Sequence, residues 1–195
     1  MRYEYVPHSC VLLWREDAVN TLEYYRTPES VAPTELAFGT LQVRDAPSVQ
    51  HQEAVGSFFV ALRDHAREHR LGRVFVAPLD VVLDEARALI VQPDLLYVAN
   101  RGGGIIGRRI YGAPDLVVEV LSPNPRVGDL NRRLGWFANY GVKECWAYHQ
   151  TIQRLEVVSF VAATIDRRLW IDLSDPIQSS VLPAFSPTLR DVLDR

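Results

Sequence analysis

Two segments of the chain carry apolar residues at helical spacing. The first runs from position 49 to about position 70, between Ser48, a favoured N-cap residue, and Gly72, a favoured helix stop. Its apolar stripe consists of Val55, Phe58, Phe59, Leu62 and Ala66. The second runs from Asp129, a capping residue, to Tyr140, and it places Leu130, Arg133, Phe137 and Tyr140 on one face. Both segments are predicted helices, and the second directs Arg133 towards the sheet.

Shorter apolar runs bounded by turn residues predict strands at 35–43, 74–83, 88–98, 113–121, 144–149, 154–162 and 168–173. The order helix, three strands, helix, strand is typical of an α/β domain. We therefore predict one domain over residues 1–195. It comprises an N-terminal extension at 1–34, a core at 35–150, and a C-terminal hairpin and tail at 151–195 that ends in a short helix.

Composition limits the possible classes of function. The chain has 195 residues, of which 48% are hydrophobic, and a net charge of −3, so no overall basic field indicates nucleic acid. Two cysteines are too few for a disulfide scaffold. With neither a signal sequence nor an apolar stretch of membrane-spanning length, we expect a cytoplasmic protein with no membrane association.

Carboxylates interrupt two of the predicted strands. Pro-Asp precedes an apolar run at Asp94 and again at Asp115, and Glu119 lies in mid-strand between Val118 and Val120. Because a buried carboxylate is costly without a cation, acids on neighbouring strands indicate a divalent-metal site. For Asp94 and Asp115 the alternative is that each only ends a turn after proline. We expect Asp94 and Glu119 to be the only buried acids.

Several sequence motifs resemble one known family. They are VQPDLLYV at 91–98, GAPDLVVEVLSP at 112–123, a helix from Asp-Leu to Tyr-Gly-Val at 129–142, Glu-Cys-Trp at 144–146, and the tail VLPAFSPTLRDVL at 181–193. This pattern resembles the PD-(D/E)XK nuclease superfamily, and more closely its Uma-two family. The resemblance implies an α/β (α+β) fold with a restriction-endonuclease-like core. Such a core has a mixed central sheet flanked by helices, here with additional N- and C-terminal strands.

The resemblance also implies a metal-dependent endonuclease that hydrolyses phosphodiester bonds in nucleic acid, with DNA the expected substrate. Asp94 and Glu119 would hold Mg²⁺ or Mn²⁺. The superfamily lysine, two residues after the glutamate, is replaced by Leu121. The family's alternative lysine, on the helix after Asp129-Leu, is replaced by Arg133, which keeps the positive charge but does not lose its proton. The resemblance thus implies Asp94, Glu119 and Arg133 as catalytic residues, and Asp129, at the start of the same helix motif, as a supporting residue.

Two further supporting candidates lie near the N-terminus. The family's acidic hairpin keeps only its first acid, Glu35, and the family's Ser-x-x-His pattern is kept as Ser48 to His51. The resemblance implies that Glu35 lines the site and that His51 supports a metal ligand or the phosphate. A histidine at a helix start also has a purely structural explanation.

Other interpretations remain open. The altered lysine positions are compatible with a catalytically silent nucleic-acid-binding relative. A third possibility is a homodimeric interaction protein, whose apolar surface we predict around Trp136, Trp146 and Trp170. For the nuclease itself we also expect a symmetric homodimer, with Trp170 and Ile171 on the last strand and Val157 and Phe160 on its neighbour at the interface. His65 and His69 fit a zinc pattern, H-x-x-E-H, but no third ligand is evident.

Overall fold

The computed structural model describes residues 11–12, 18–26, 34–44, 46–122 and 127–194. The helices are α1 (Thr21–Arg26), α2 (Val49–Glu68), α3 (Val127–Tyr140) and α4 (Leu189–Leu193), with a 3₁₀ helix at Asn100–Ile105. The strands are β1 (Val11–Leu12), β2 (Thr34–Ala37), β3 (Thr40–Val43), β4 (Gly72–Val76), β5 (Val81–Asp84), β6 (Leu89–Val91), β7 (Leu95–Ala99), β8 (Ile110–Tyr111), β9 (Leu116–Leu121), β10 (Glu144–His149), β11 (Arg154–Val161) and β12 (Thr164–Ile171).

The strands form two mixed sheets. One sheet has the strand order β12-β11-β10-β9-β7-β4. In it β9 and β10 are parallel, and the other neighbouring pairs are antiparallel. The second sheet has the order β1-β3-β2-β6-β5-β8. The first is called the central sheet below, and the second the accessory sheet.

Each face of the central sheet has its own hydrophobic core. Helix α2 and the C-terminal tail cover one face, where Phe58, Leu62 and Trp146 are fully buried. Helix α3 and the accessory sheet cover the other face, where Leu134 and Phe137 are fully buried. A mixed central sheet with helices on both faces is the predicted fold class, which is confirmed.

Helix α2 begins where its sequence indicates. Ser48 is the N-cap, and its Oγ accepts a hydrogen bond of 3.2 Å from the backbone N–H of His51. The C-terminal boundary was predicted wrongly, since the helix ends at Glu68 and Gly72 begins β4. Glycine is required there for another reason. A Cβ at Gly72 would lie 2.2 Å from the carbonyl oxygen of Val98 on the paired strand β7.

Two predicted strands each divide into two. The run 74–83 forms β4 and β5, and the run 88–98 forms β6 and β7, so each run passes from one sheet to the other. Each run is interrupted near a proline, Pro78 or Pro93, which has no N–H for the strand ladder. The segment 35–43 is likewise a hairpin rather than one strand, and it turns at Phe38 and Gly39 with φ of 50° and 85°.

The predicted dimer surface is wrong in most of its residues. Val157, Phe160 and Ile171 are buried in the chain's own cores, and Trp146 is fully buried beneath α2. The reason is that β11 and β12 continue the central sheet instead of projecting as a free hairpin. Trp170 remains exposed, and the other exposed apolar residues of this region are Val161, Ile165 and Leu169.

Candidate active site

The pairing of β7 with β9 brings Asp94 and Glu119 together. The two strands are antiparallel, and Leu95 lies opposite Val118. Asp94, which immediately precedes β7, therefore lies opposite Glu119, the residue that follows Val118. Oδ2 of Asp94 accepts a hydrogen bond of 2.7 Å from the backbone N–H of Val120. Asp94 is therefore anchored to the strand that carries the second acid.

Glu119 points to the face of the central sheet that α3 covers. Its neighbours Val118 and Val120 pack on the opposite face, against α2, as strand alternation requires. Only 3% of Glu119 is exposed. A carboxylate this deeply buried requires a cation, and α3 supplies one.

Arg133 holds Glu119 from above the sheet. Its Nε and Nη2 donate to Oε1 of Glu119 at 3.1 and 2.5 Å. Its Nη1 donates to Oε2 of Glu35 at 2.7 Å. All three guanidinium nitrogens thus contact carboxylates, and the side chain is only 8% exposed. The helical face predicted from Leu130 and Phe137 does direct Arg133 to the sheet.

Glu35 reaches the site from β2, in the accessory sheet. Its Oε1 accepts a hydrogen bond of 2.6 Å from the backbone N–H of Gln92, and its Oε2 contacts Arg133 and Arg44. Both oxygens are therefore engaged with protein groups. The structure places Glu35 in the predicted cluster, where it orients the arginines.

His51 lies in the first turn of α2, and its Nε2 is 3.3 Å from Oδ2 of Asp94. Its Nδ1 is buried and has no hydrogen-bond partner among the described residues. The histidine thus contacts one of the two candidate metal ligands directly. This contact depends on the α2 N-terminus, which Ser48 fixes.

Arg44 is a site residue that the sequence analysis missed. It follows β3 directly, and its Nη2 lies 3.4 Å from Oε2 of Glu35 while its Nη1 lies 3.8 Å from Oε2 of Glu119. Unlike Arg133, its side chain is 31% exposed. A single arginine after a short strand gives no sequence signal, because the turn of the β2–β3 hairpin decides where it points.

Comparison with protein families identifies the relatives of this chain. The sequence model of the Uma2 family, described as "Putative restriction endonuclease", matches residues 22–190. The chain belongs to the Uma2 family. Among solved structures, it is similar to the crystal structure of "a putative nuclease belonging to DUF820" from Anabaena variabilis. The TM-score is 0.75 at 16% identity, over 90% of this chain and 98% of the other. Comparison with curated proteins finds no match.

The Uma2 site carries nearly balanced charge. Three carboxylates, Glu35, Asp94 and Glu119, face two guanidinium groups. Burial, together with the neighbouring charges of Asp94 and Glu35, raises the pKa of Glu119 against the lowering effect of the two arginines. Burial would also raise the pKa of Glu35, but Arg133, Arg44 and the Gln92 amide lower it overall.

Burial and the neighbouring Asp94 shift the pKa of His51 in opposite directions. Burial lowers its pKa, but the hydrogen bond and charge of Asp94 outweigh burial and raise the pKa above its ordinary value. Protonated His51 would balance the one carboxylate charge that the two arginines leave uncompensated.

Two carboxylate oxygens of the Uma2 site remain available to a divalent cation. Among the described residues, neither Oδ1 of Asp94 nor Oε2 of Glu119 accepts a hydrogen bond, and Nη1 of Arg44 lies 3.8 Å from Oε2 of Glu119. No cluster of three or more His, Cys, Asp or Glu side chains that would hold a metal occurs in the described part of the chain. Magnesium sites commonly use only one or two carboxylates, with water completing the shell. Asp94 and Glu119 therefore fit Mg²⁺ or Mn²⁺ as a two-carboxylate site.

The expectation that Asp94 and Glu119 are the only buried acids is wrong. Asp115 accepts from the Ala99 amide at 2.8 Å and pairs with Lys143. Elsewhere, Glu144 accepts from Trp146, Ser179 and Ser180, and Glu156 pairs with Arg168. These acids are satisfied by protein donors, so burial alone does not identify a metal ligand.

The remaining candidates lie apart from the cluster or outside the description. Leu121 is two positions after Glu119 on the same face, partly buried against the α3 core. Asp129 lies in the first turn of α3, which begins at Val127, and its side chain is outside the described residues. The rings of His65 and His69 are 4.5 Å apart, but Nε2 of His65 contacts the carbonyl oxygen of Pro183.

No helix in the described part of the chain has the length and apolar character needed to cross a membrane.

Proposed function

We propose that this Uma2 protein is a divalent-metal-dependent endonuclease that hydrolyses phosphodiester bonds in DNA. The supporting observation is the opposition of Asp94 and Glu119 across the β7–β9 pair, each with one carboxylate oxygen that accepts no hydrogen bond from the described residues. The family carries the description "Putative restriction endonuclease", and enzymes of the restriction-endonuclease type generally use divalent metal ions. The proposed site of action is the cytoplasm.

Asp94 and Glu119 are the residues that would hold Mg²⁺ or Mn²⁺. When bound, the ion would lower the pKa of a water molecule and offset charge on the scissile phosphate. The chain's own groups keep the carboxylates in place. Arg133 fixes Glu119, Glu35 fixes Arg133, and the Val120 amide together with His51 fixes Asp94.

A cleavage assay on supercoiled plasmid DNA tests this function. We expect wild-type protein to nick the plasmid with Mg²⁺ or Mn²⁺ and to lose this activity in EDTA. Glu119→Gln should reduce the rate at least about 100-fold, since it removes the charge that holds the ion. Asp64→Asn, a change at an exposed acid of α2, is the matched control for loss of an acid outside the site and should cleave like wild type.

The second candidate is a silent relative that binds nucleic acid without cutting it. Two observations favour it: Leu121 occupies the superfamily lysine position, and the buried guanidinium of Arg133 is engaged with carboxylates on all three nitrogens. DNA binding by wild-type protein, without cleavage under any of the metal conditions, would select this candidate.

We also propose that the protein is a homodimer formed through β12, the edge strand of the central sheet. Every residue of β12 except Ile171 is exposed. An exposed strand edge offers unpaired backbone groups to a second chain. Ile165, Leu169 and Trp170 add apolar surface to this edge.

A further inference from the structure

Two arginines, Arg133 and Arg44, contact the same pair of carboxylates. They differ in burial and in contact distance, and therefore in how easily each guanidinium could contact a substrate. Arg133 is buried, and it reaches Glu119 and Glu35 at hydrogen-bond distances between 2.5 and 3.1 Å. Turning it towards a phosphate would leave two buried carboxylates without their principal cation. Such a group is fixed by its surroundings.

Arg44 makes the weaker and longer contacts of 3.4 and 3.8 Å, and about a third of its side chain is exposed. No partner contacts its Nε among the described residues. Its contacts are longer than those of Arg133, and Arg133 keeps both carboxylates paired, so the Arg44 guanidinium is the freer of the two to turn outward. It is therefore a cation beside Glu119 that solvent, and any bound phosphate, can reach.

We infer that Arg44 is the residue of this site that contacts the substrate phosphate, while Arg133 is a positioning residue that holds Glu119 and Glu35. This inference rests on the proposed function, and it assigns the phosphate contact to Arg44 instead of Arg133. An arginine suits that role because its planar fork can donate two parallel hydrogen bonds to phosphate oxygens.

Binding to a short fluorescein-labelled DNA duplex tests the assignment, measured by anisotropy in EDTA so that the probe stays intact. We expect Arg44→Gln to weaken binding about tenfold, as for the loss of one charge-assisted contact. The slope of log affinity against log salt concentration should fall by about 0.9, the value for one phosphate contact. Arg44→Lys should restore the slope, since it keeps the charge.

Arg154→Gln is the matched control. Arg154 has a similar exposure of 38% and an ion pair with Asp172, but it lies on β11 away from the catalytic cluster. Its removal should leave both affinity and salt slope at the wild-type values. The thermal midpoint of each variant separates a loss of phosphate contact from a loss of folded protein.

Two results would overturn the assignment. One contradicts only the role of Arg44, and the other also contradicts the proposed function. If wild type binds DNA and Arg44→Gln binds with the same affinity and slope, Arg44 is only an ion-pair partner of Glu35, and the proposed function is untouched. If wild-type protein binds no DNA in EDTA and also leaves the plasmid intact with Mg²⁺ and Mn²⁺, the proposed function fails, and the phosphate role of Arg44 fails with it.

Discussion

At the scale of single residues, Arg133 is a charged side chain that has become part of the buried structure. The helical face of α3 predicted that Arg133 points to the sheet, which is where it lies. Its side chain is only 8% exposed and donates hydrogen bonds to two acids, so its removal should affect the stability of the fold. Because its removal would leave the buried Glu119 and Glu35 without their principal cation, we expect Arg133→Ala to lower stability as well as activity.

We predict that Arg133→Gln lowers the free energy of unfolding by about 3–5 kcal/mol, the cost of breaking a buried ion pair on one side. The double variant Arg133→Gln/Glu35→Gln should recover part of this loss, because it also removes the buried negative charge of Glu35 that Arg133 would otherwise neutralise. Urea denaturation measures both values. Arg63→Gln removes an exposed ion pair with Asp64 and should change stability by less than about 1 kcal/mol. Equal losses for Arg63→Gln and Arg133→Gln would contradict the buried role.

At the scale of elements, the sequence predicted which segments are helices and strands better than it predicted where the strands belong. Strand β10 and the start of α2 agree with their sequence patterns, since a proline-free apolar run and a serine cap act locally. The runs 74–83 and 88–98 do not, because each crosses between two sheets. Periodicity indicates that a segment is extended, but not which neighbour it pairs with.

The pairing of β4 with β7 gives a prediction at this scale. Gly72→Ala should lower the free energy of unfolding by at least about 2 kcal/mol, because its Cβ would approach the Val98 oxygen to 2.2 Å and the Ala99 Cα to 2.8 Å. Gly103→Ala is the matched control, since a Cβ there meets nothing within 4 Å. Thermal unfolding of the two variants measures the difference. Equal midpoints would show that β4 does not approach β7 this closely.

At the scale of the whole molecule, the candidate site is built from both sheets and two helices. Asp94, Glu119 and the direction of Arg133 could be predicted, because each depends on a short motif or on one helix face. The bond between Glu35 and Arg133 and the position of Arg44 could not. They depend on how the accessory sheet docks beside α3, which no local pattern encodes.

Assembly of two copies is the prediction for the molecule as a whole. Light scattering at micromolar concentration should give twice the chain mass of 22.1 kDa. Placing a charge on the β12 edge by Leu169→Glu should shift the protein to monomers, because apolar contact is replaced by repulsion across the symmetric interface. Asp64→Asn, on α2, should leave the mass unchanged. A species of 22.1 kDa across the whole concentration range would reject the dimer.

The long separation of Glu35 from Arg133 affects when the site forms during synthesis and folding. The two residues are 98 positions apart, and their bond closes only after the chain has been made well beyond Glu119. Contacts of such separation form late, since a long loop must first lose its freedom. A nascent chain that ends before α3 has the three acids of the cluster but lacks the buried arginine that neutralises two of them. The candidate cluster is therefore complete only after α3 has packed on the central sheet.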